Sequence, residues 1–379
     1  MLDLAKVETG IEHDDSAILP ALERLVDSFN RDGQPHEQGA VMLHQRILRQ
    51  LKNRLRLARD LSAHPEILDE PIDQPIFING MARTGSTKTQ KLLSASGDFN
   101  YLTFWNAFNP ALLSGDPSES PELRIADADA YTRWFDEQSP LTKCGHSFET
   151  HEPEEESDIL GHSMMSPVWF GWAPLGSYLE WLGEVGMKAQ FVMLRTTLQY
   201  LQWQGYASAS KRWILKSPLY SGLESLLLDT FPDATLIMTH RSNAETIGSG
   251  LKLLECFYLP FTDLKPDPLG YVQGVKEATD LHMTWRASQP AARFLDIPFS
   301  TSIDVPELTA RPIYEYSGMT LSEAAIRRMQ AWSAANPQNK YGRHQYRLED
   351  YGLTHSGIME TFSAYEIFND SLEVSWGYR

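Results

Sequence analysis

The stretch Gly80-Met-Ala-Arg-Thr-Gly85-Ser86-Thr87 keeps the G-x-x-x-x-G skeleton of a phosphate-binding loop. Its glycines let backbone N–H groups turn inward, and the N-terminus of a following helix adds a partial positive charge. Such a cup suits an oxyanion, and Ser86 and Thr87 add hydroxyl donors. A nucleotide hydrolase needs lysine directly after the second glycine to reach the β- and γ-phosphates, but that residue here is Ser86. No acidic strand end stands ready to hold Mg²⁺. Arg83 lies inside the loop instead, where a guanidinium can grip a terminal anion with two parallel bonds. This pattern predicts a nucleotide whose reactive group needs no magnesium.

The elements around the loop fit that chemistry. IFING enters it as a short apolar strand, and helical periodicity returns from Thr87 to Leu93. WILKS (213–217) and ATLIMTHR (234–241) read as buried strands. Helices are expected over 219–231 and 243–255. Strand and helix in close alternation mean βαβ units and a parallel sheet. Ligands of such sheets bind at the carboxyl ends of the strands, and residues 80–88, 216–218 and 240–249 all lie just past such ends. Residues 18–63 show helical spacing, so 1–73 is expected to be a helical N-terminal segment. Residues 106–210, rich in Trp, Phe, Met and Pro, read as helices and loops inserted between strands. Phe104, Trp105, Trp169, Phe170 and Trp172 suit either an apolar acceptor pocket or a core.

The bulk composition narrows the function classes. The 379 residues carry 33 Lys and Arg against 50 Asp and Glu, a net charge of −17. That balance argues against a protein that coats nucleic acid or anionic lipid. No run approaches the roughly 18 apolar residues of a membrane helix, and the N-terminus lacks a signal-peptide pattern. Only Cys144 and Cys256 are present, so neither a disulfide framework nor a zinc site is expected, and a cytoplasmic location fits.

Residues 76–93 resemble the 5′-phosphosulfate loop of sulfotransferases that use 3′-phosphoadenosine 5′-phosphosulfate (PAPS). The R-T-G-[ST]-T form is similar to the bacterial-type branch. The resemblance covers about residues 74–360 and implies one sulfotransferase-like domain over 1–379, with a P-loop-like parallel sheet flanked by helices. THRSNAETIGS (239–249) is similar to the family's 3′-phosphate site, which implies that Arg241 and Ser249 close around that phosphate. Lys216 falls where the family places a strand-end lysine near the transferring group. NKYGRHQYRLEDYGL (339–353) resembles the branch's C-terminal loop, which implies a second clamp by Lys340, Arg343 and His344.

By this resemblance Arg83, Thr84, Gly85, Ser86 and Thr87 hold the 5′-phosphosulfate. Adenosine 3′,5′-bisphosphate (PAP) is the product, the acceptor is the hydroxyl of a small molecule, carbohydrate or lipid, and no metal takes part. Two departures stand out: Pro218 replaces the histidine base of cytosolic sulfotransferases, and Lys88 replaces their adenine-stacking tryptophan. HSFETHEPEEESDIL (146–160) resembles another segment of the branch and packs six carboxylates into residues 149–158. Most of them read as a solvated helix start after Pro153. A buried one, or His151 or His146, can take the acceptor's proton, with Glu152 favoured and His151 next. A small-molecule kinase and a non-catalytic nucleotide-binding protein are the alternatives.

Overall fold

A computed structural model describes all residues except 291–292, 303–304, 338–339, 343–344 and 378–379. The chain opens with α1 (Leu2–Thr9), α2 (Leu19–Ser28) and the long α3 (Glu37–Ala63). Strand β1 (Ile76–Asn79) then feeds α4 (Ser86–Ala95). An excursion follows through α5 (Phe104–Phe108), α6 (Glu122–Gln138), α7 (Ser157–Gly161), α8 (Gly176–Val185) and α9 (Lys188–Trp203). After it come β2 (Ile214–Lys216), α10 (Glu224–Thr230), β3 (Thr235–His240), α11 (Asn243–Tyr258), α12 (Pro268–Ala287) and β4 (Phe294–Pro298). The chain closes with α13 (Pro306–Tyr316), α14 (Glu323–Ala335), α15 (His355–Thr361) and α16 (Ser363–Ser375).

The four strands form one parallel sheet in the order β2-β1-β3-β4, with Phe77 opposite Leu215 and Leu236. Alternation along β1 decides which face each side chain serves. Ile76 and Ile78 join Ile214, Ile237, Ile297, Leu92 and Tyr314 on one face. Phe77 joins Leu194, Leu198, Leu215, Tyr220 and Phe231 on the other. Both faces are covered by helices, as a parallel sheet requires. Each such side chain contributes about 1.5–3 kcal/mol on burial, so the strand ends rest on a stiff base.

The helical N-terminal segment packs its apolar stripe against the excursion, not the sheet. Leu22, Leu25, Leu43, Leu51 and Leu55 share a core with Phe104, Phe108, Phe135, Trp169, Trp172 and Tyr178. Two arginines of α3, Arg46 buried and Arg49 half-buried, tie these layers together. Arg46 donates to Tyr131 Oη at 2.8 Å and Asp158 at 2.6 Å, and Arg49 lies 3.3 Å over the Phe108 ring. Phe104, Trp105, Trp169 and Trp172 are therefore buried packing residues, while Phe170 is half-buried with its ring edge-on to Tyr258.

Two element boundaries differ from expectation. The helix anticipated over 219–231 becomes regular only at Glu224, because Pro218 opens a 3₁₀ turn and Gly222 takes φ +84°. The fourth strand, FLDIP, carries no periodic signal. Its central Asp296 is paired with Arg286 and His240, and an acidic residue beside a proline does not read as a strand.

Candidate active site

The loop after β1 is held against β3 by close backbone approach. A Cβ at Gly80, where φ is +150°, would stand 2.2 Å from Thr239 Oγ1 and 2.5 Å from Thr239 O, so only glycine fits. The Thr84 hydroxyl lies 2.7 Å from Thr239 Oγ1 and donates to Met81 O at 2.8 Å. It is spent on shaping the loop. Arg83 takes φ +75° and Gly85 φ +88°, and the glycine turns the chain into α4. That helix starts with no side-chain cap and no acidic residue in its first turn, which leaves its positive end open to an anion. The hydroxyls of Ser86 and Thr87 stand on that first turn.

The Arg83 side chain reaches across to α11. Its Nε donates to Ser249 Oγ at 3.0 Å and its Nη1 to Gly145 O at 2.7 Å. Arg241, at the end of β3, donates from Nη1 to Arg83 O at 3.2 Å and from Nε to Glu245 at 2.6 Å, and its guanidinium lies 3.9 Å over the Phe299 ring. Burial lowers the pKa of Arg83, and the Arg241 charge pushes the same way more strongly than Glu155 opposes it. Loop, strand end and helix therefore meet in a cluster with surplus positive charge. The structure brings Arg83, Arg241 and Ser249 together.

Lys216 ends β2 almost fully buried, its ammonium on Glu155 and its amide donating to Glu156 Oε1 at 2.7 Å. Glu156 also accepts from Tyr220 Oη at 2.8 Å. Burial pushes its pKa up to about 8, against the pull of these hydrogen bonds. Next to this pair stands His146, whose Nε2 lies 3.1 Å from Glu154 and whose Nδ1 lies 3.9 Å from Glu155. Burial raises the Glu154 pKa, but the His146 charge and hydrogen bond outweigh it and hold the carboxyl at about 2. Ligand atoms of His146, Glu154 and Glu155 fall within 4.8 Å of one another, a donor set open to a cation. The Lys216 ammonium already stands on one of its members.

Other expected residues lie elsewhere. His151 is exposed and Glu152 half-buried, and neither is among the partners of Lys216. The acidic segment runs extended past Pro153, which bridges to Thr103, and its helix begins only at Ser157. That extension carries Glu154 and Glu155 to the strand ends. No periodic pattern distinguishes them from Glu152; only the pairing of Glu155 with Lys216 and of Glu154 with His146 does. Lys340 donates to Asn336 Oδ1 at 2.9 Å and is exposed. Arg343 and His344 lie outside the described residues. No helix among the described residues is long and apolar enough to cross a membrane.

Comparisons with known proteins bear on the fold and the family. Sulfotransferase STF1 from Mycobacterium tuberculosis H37Rv aligns with a TM-score of 0.79 at 26% identity, covering 96% of this chain and 97% of that one. Sulfotransferase STF9 from Mycobacterium avium aligns with a TM-score of 0.82 at 26% identity, covering 96% and 94%. A comparison with the curated proteins found no match. The sulfotransferase family matches residues 75–323, from just before β1 to the start of α14. The match spans most of the sequence and all four strand ends that build the site, and the chain belongs to the sulfotransferase family.

Proposed function

We propose that the chain transfers a sulfuryl group from PAPS to the hydroxyl of a small-molecule acceptor. The observation that carries this reading is the meeting of Arg83, Arg241 and Ser249 beside the uncapped N-terminus of α4. A nucleotide with anions at both its 3′ and 5′ positions matches two adjacent cation sites, one made of side chains and one of backbone N–H groups. Arg241 and Ser249 hold the 3′-phosphate, the group that distinguishes this donor from ATP. Gly85, Ser86 and Thr87 receive the 5′ end, and Arg83 links the two halves. The bound donor supplies a sulfur–oxygen bond already weakened by a phosphate leaving group.

The chain's own residues do the rest by position and charge. Lys216 neutralises negative charge on the oxygen left behind when the sulfur–oxygen bond breaks. In its neutral form with Nε2–H donating to Glu154, His146 keeps its lone pair on Nδ1. That nitrogen takes the proton of the acceptor hydroxyl while the hydroxyl oxygen bonds to sulfur. The Glu155 carboxylate near Nδ1 favours the imidazolium that results. Glu152 and His151, the positions favoured from sequence, stand behind His146 in this reading because Lys216 pairs with neither.

A calorimetric titration tests the donor. Adenosine 3′,5′-bisphosphate should bind wild-type protein without metal, and Arg241→Ala should weaken it roughly 10- to 100-fold, the loss of a charged hydrogen-bonding partner. Preference for ADP with magnesium would overturn the reading in favour of a kinase. Bisphosphate binding without transfer from labelled donor to any of a panel of alcohols and phenols would favour the non-catalytic alternative.

A further inference from the structure

Beneath the site lies a buried polar network that the transfer reaction itself does not use. It has two limbs. In the first, His282 of α12 donates from Nδ1 to Glu224 Oε1 at 2.9 Å, and Glu224 Oε1 also accepts from Asn79 Nδ2 at 2.9 Å. Asn79 Oδ1 then accepts from Gly80 N–H at 2.7 Å and from the Ser221 hydroxyl at 2.9 Å. This limb ends on the first amide of the phosphate loop.

In the second limb Arg286 grips Asp296 through two bonds of 2.9 and 2.8 Å, and Asp296 lies 2.8 Å from His240 Nε2. Asp296 is ionised, so Nε2 carries the proton and Nδ1 accepts from the Tyr365 hydroxyl at 3.0 Å. His240 is the last residue of β3 and directly precedes Arg241 in the chain. This limb ends one residue before Arg241, which is assigned to the 3′-phosphate. A cavity of about 10 Å³, the size of one water molecule, is lined by residues of both limbs, among them Asn79, Gly80, His240, His282 and Tyr365.

Buried polar groups of this kind are costly unless satisfied, and here one chain of bonds leads to the Gly80 amide and the other to His240, the residue before Arg241. We propose that His282 and the His240–Tyr365 pair are positioning residues of the nucleotide site. His282 sets the Gly80 turn through Glu224 and Asn79. His240 and Tyr365 set the backbone that presents Arg241. The inference rests on the proposed bisphosphate nucleotide, and it predicts that the two limbs act on different phosphates.

The experiment compares adenosine 3′,5′-bisphosphate with adenosine 5′-monophosphate by calorimetry, at a temperature where wild type, Tyr365→Phe and His282→Phe are all folded. Tyr365→Phe should weaken the bisphosphate roughly tenfold and leave the monophosphate within about twofold, because only the 3′-phosphate depends on Arg241. His282→Phe should weaken both nucleotides by a similar factor of roughly tenfold. If His282→Phe fails to fold, Ser221→Ala cuts the outer end of the same limb and should weaken both nucleotides alike by a smaller factor. Lower melting temperatures with both affinities unchanged would make the network merely structural and overturn the proposal. The same nucleotide ratio in all variants would overturn it too. If wild type shows no preference for the bisphosphate, the donor reading fails instead.

Discussion

Lys216 is a cation held in a place where few other groups could remain charged. It sits almost fully buried at the end of an apolar strand, with its ammonium on Glu155 and its amide on Glu156. A charge so placed needs a partner, since an unpaired buried ammonium is strongly disfavoured. Glu155 is only half-buried, so the pair opens toward solvent. Replacing Lys216 with methionine keeps the length and removes the charge. Single-turnover transfer should fall about 10²- to 10³-fold, as for loss of a group aimed at developing charge. Bisphosphate affinity should change little. A variant that turns over at near wild-type rate would remove Lys216 from the chemistry.

At the scale of elements, the site depends on how tightly the loop and α4 lie on β3. Thr239 Oγ1 bonds Thr84 and the carbonyl of Asn79, and it leaves no room for a side chain at Gly80. Gly80→Ala should therefore push the loop off the strand. The expected cost is about 1–3 kcal/mol of stability, the usual range for overpacking a close contact. Bisphosphate affinity should drop at least roughly tenfold because the loop N–H groups lose their aim. Urea melts and calorimetry together check this. An alanine variant that binds like wild type would show that the loop tolerates displacement.

Across the whole molecule, the proposed function has a chain of net charge −17 bind a polyanion. It can do so because Arg83, Arg241 and the open end of α4 converge locally, and short-range charge outweighs a distant field screened over roughly 10 Å. The same burial that shields the site leaves a mark on global stability through Glu156. Its folded pKa of about 8 lies above the ordinary 4.5. Below about pH 4.5 the carboxyl is protonated in both folded and unfolded chains. As pH rises through about 8, the unfolded chain has already released the proton that the folded one must now give up. The stabilising contribution is thus full at the acid end of this window and lost toward its alkaline end. Glu156→Gln should flatten the fall in melting temperature between about pH 5 and 8. Equal slopes for variant and wild type would sink this assignment.

The sequence by itself determined the parts that are local. The glycine spacing of the loop, the apolar runs of β1, β2 and β3, and the positions of Arg83, Lys216, Arg241 and Ser249 follow from short-range pattern and chain order. Strand β4 was not legible, because its middle residue is an acid whose partners, Arg286 and His240, lie far from it in pattern though near in space. Only the tertiary structure chose among the six neighbouring carboxylates. The extended run past Pro153 and the end of β2 put Glu155, not Glu152, on Lys216, and His146 on Glu154. Periodicity reports which face of an element is buried; it carries no information about which charge meets which across elements. That choice belongs to packing, where the cost of an unpaired buried charge decides the match.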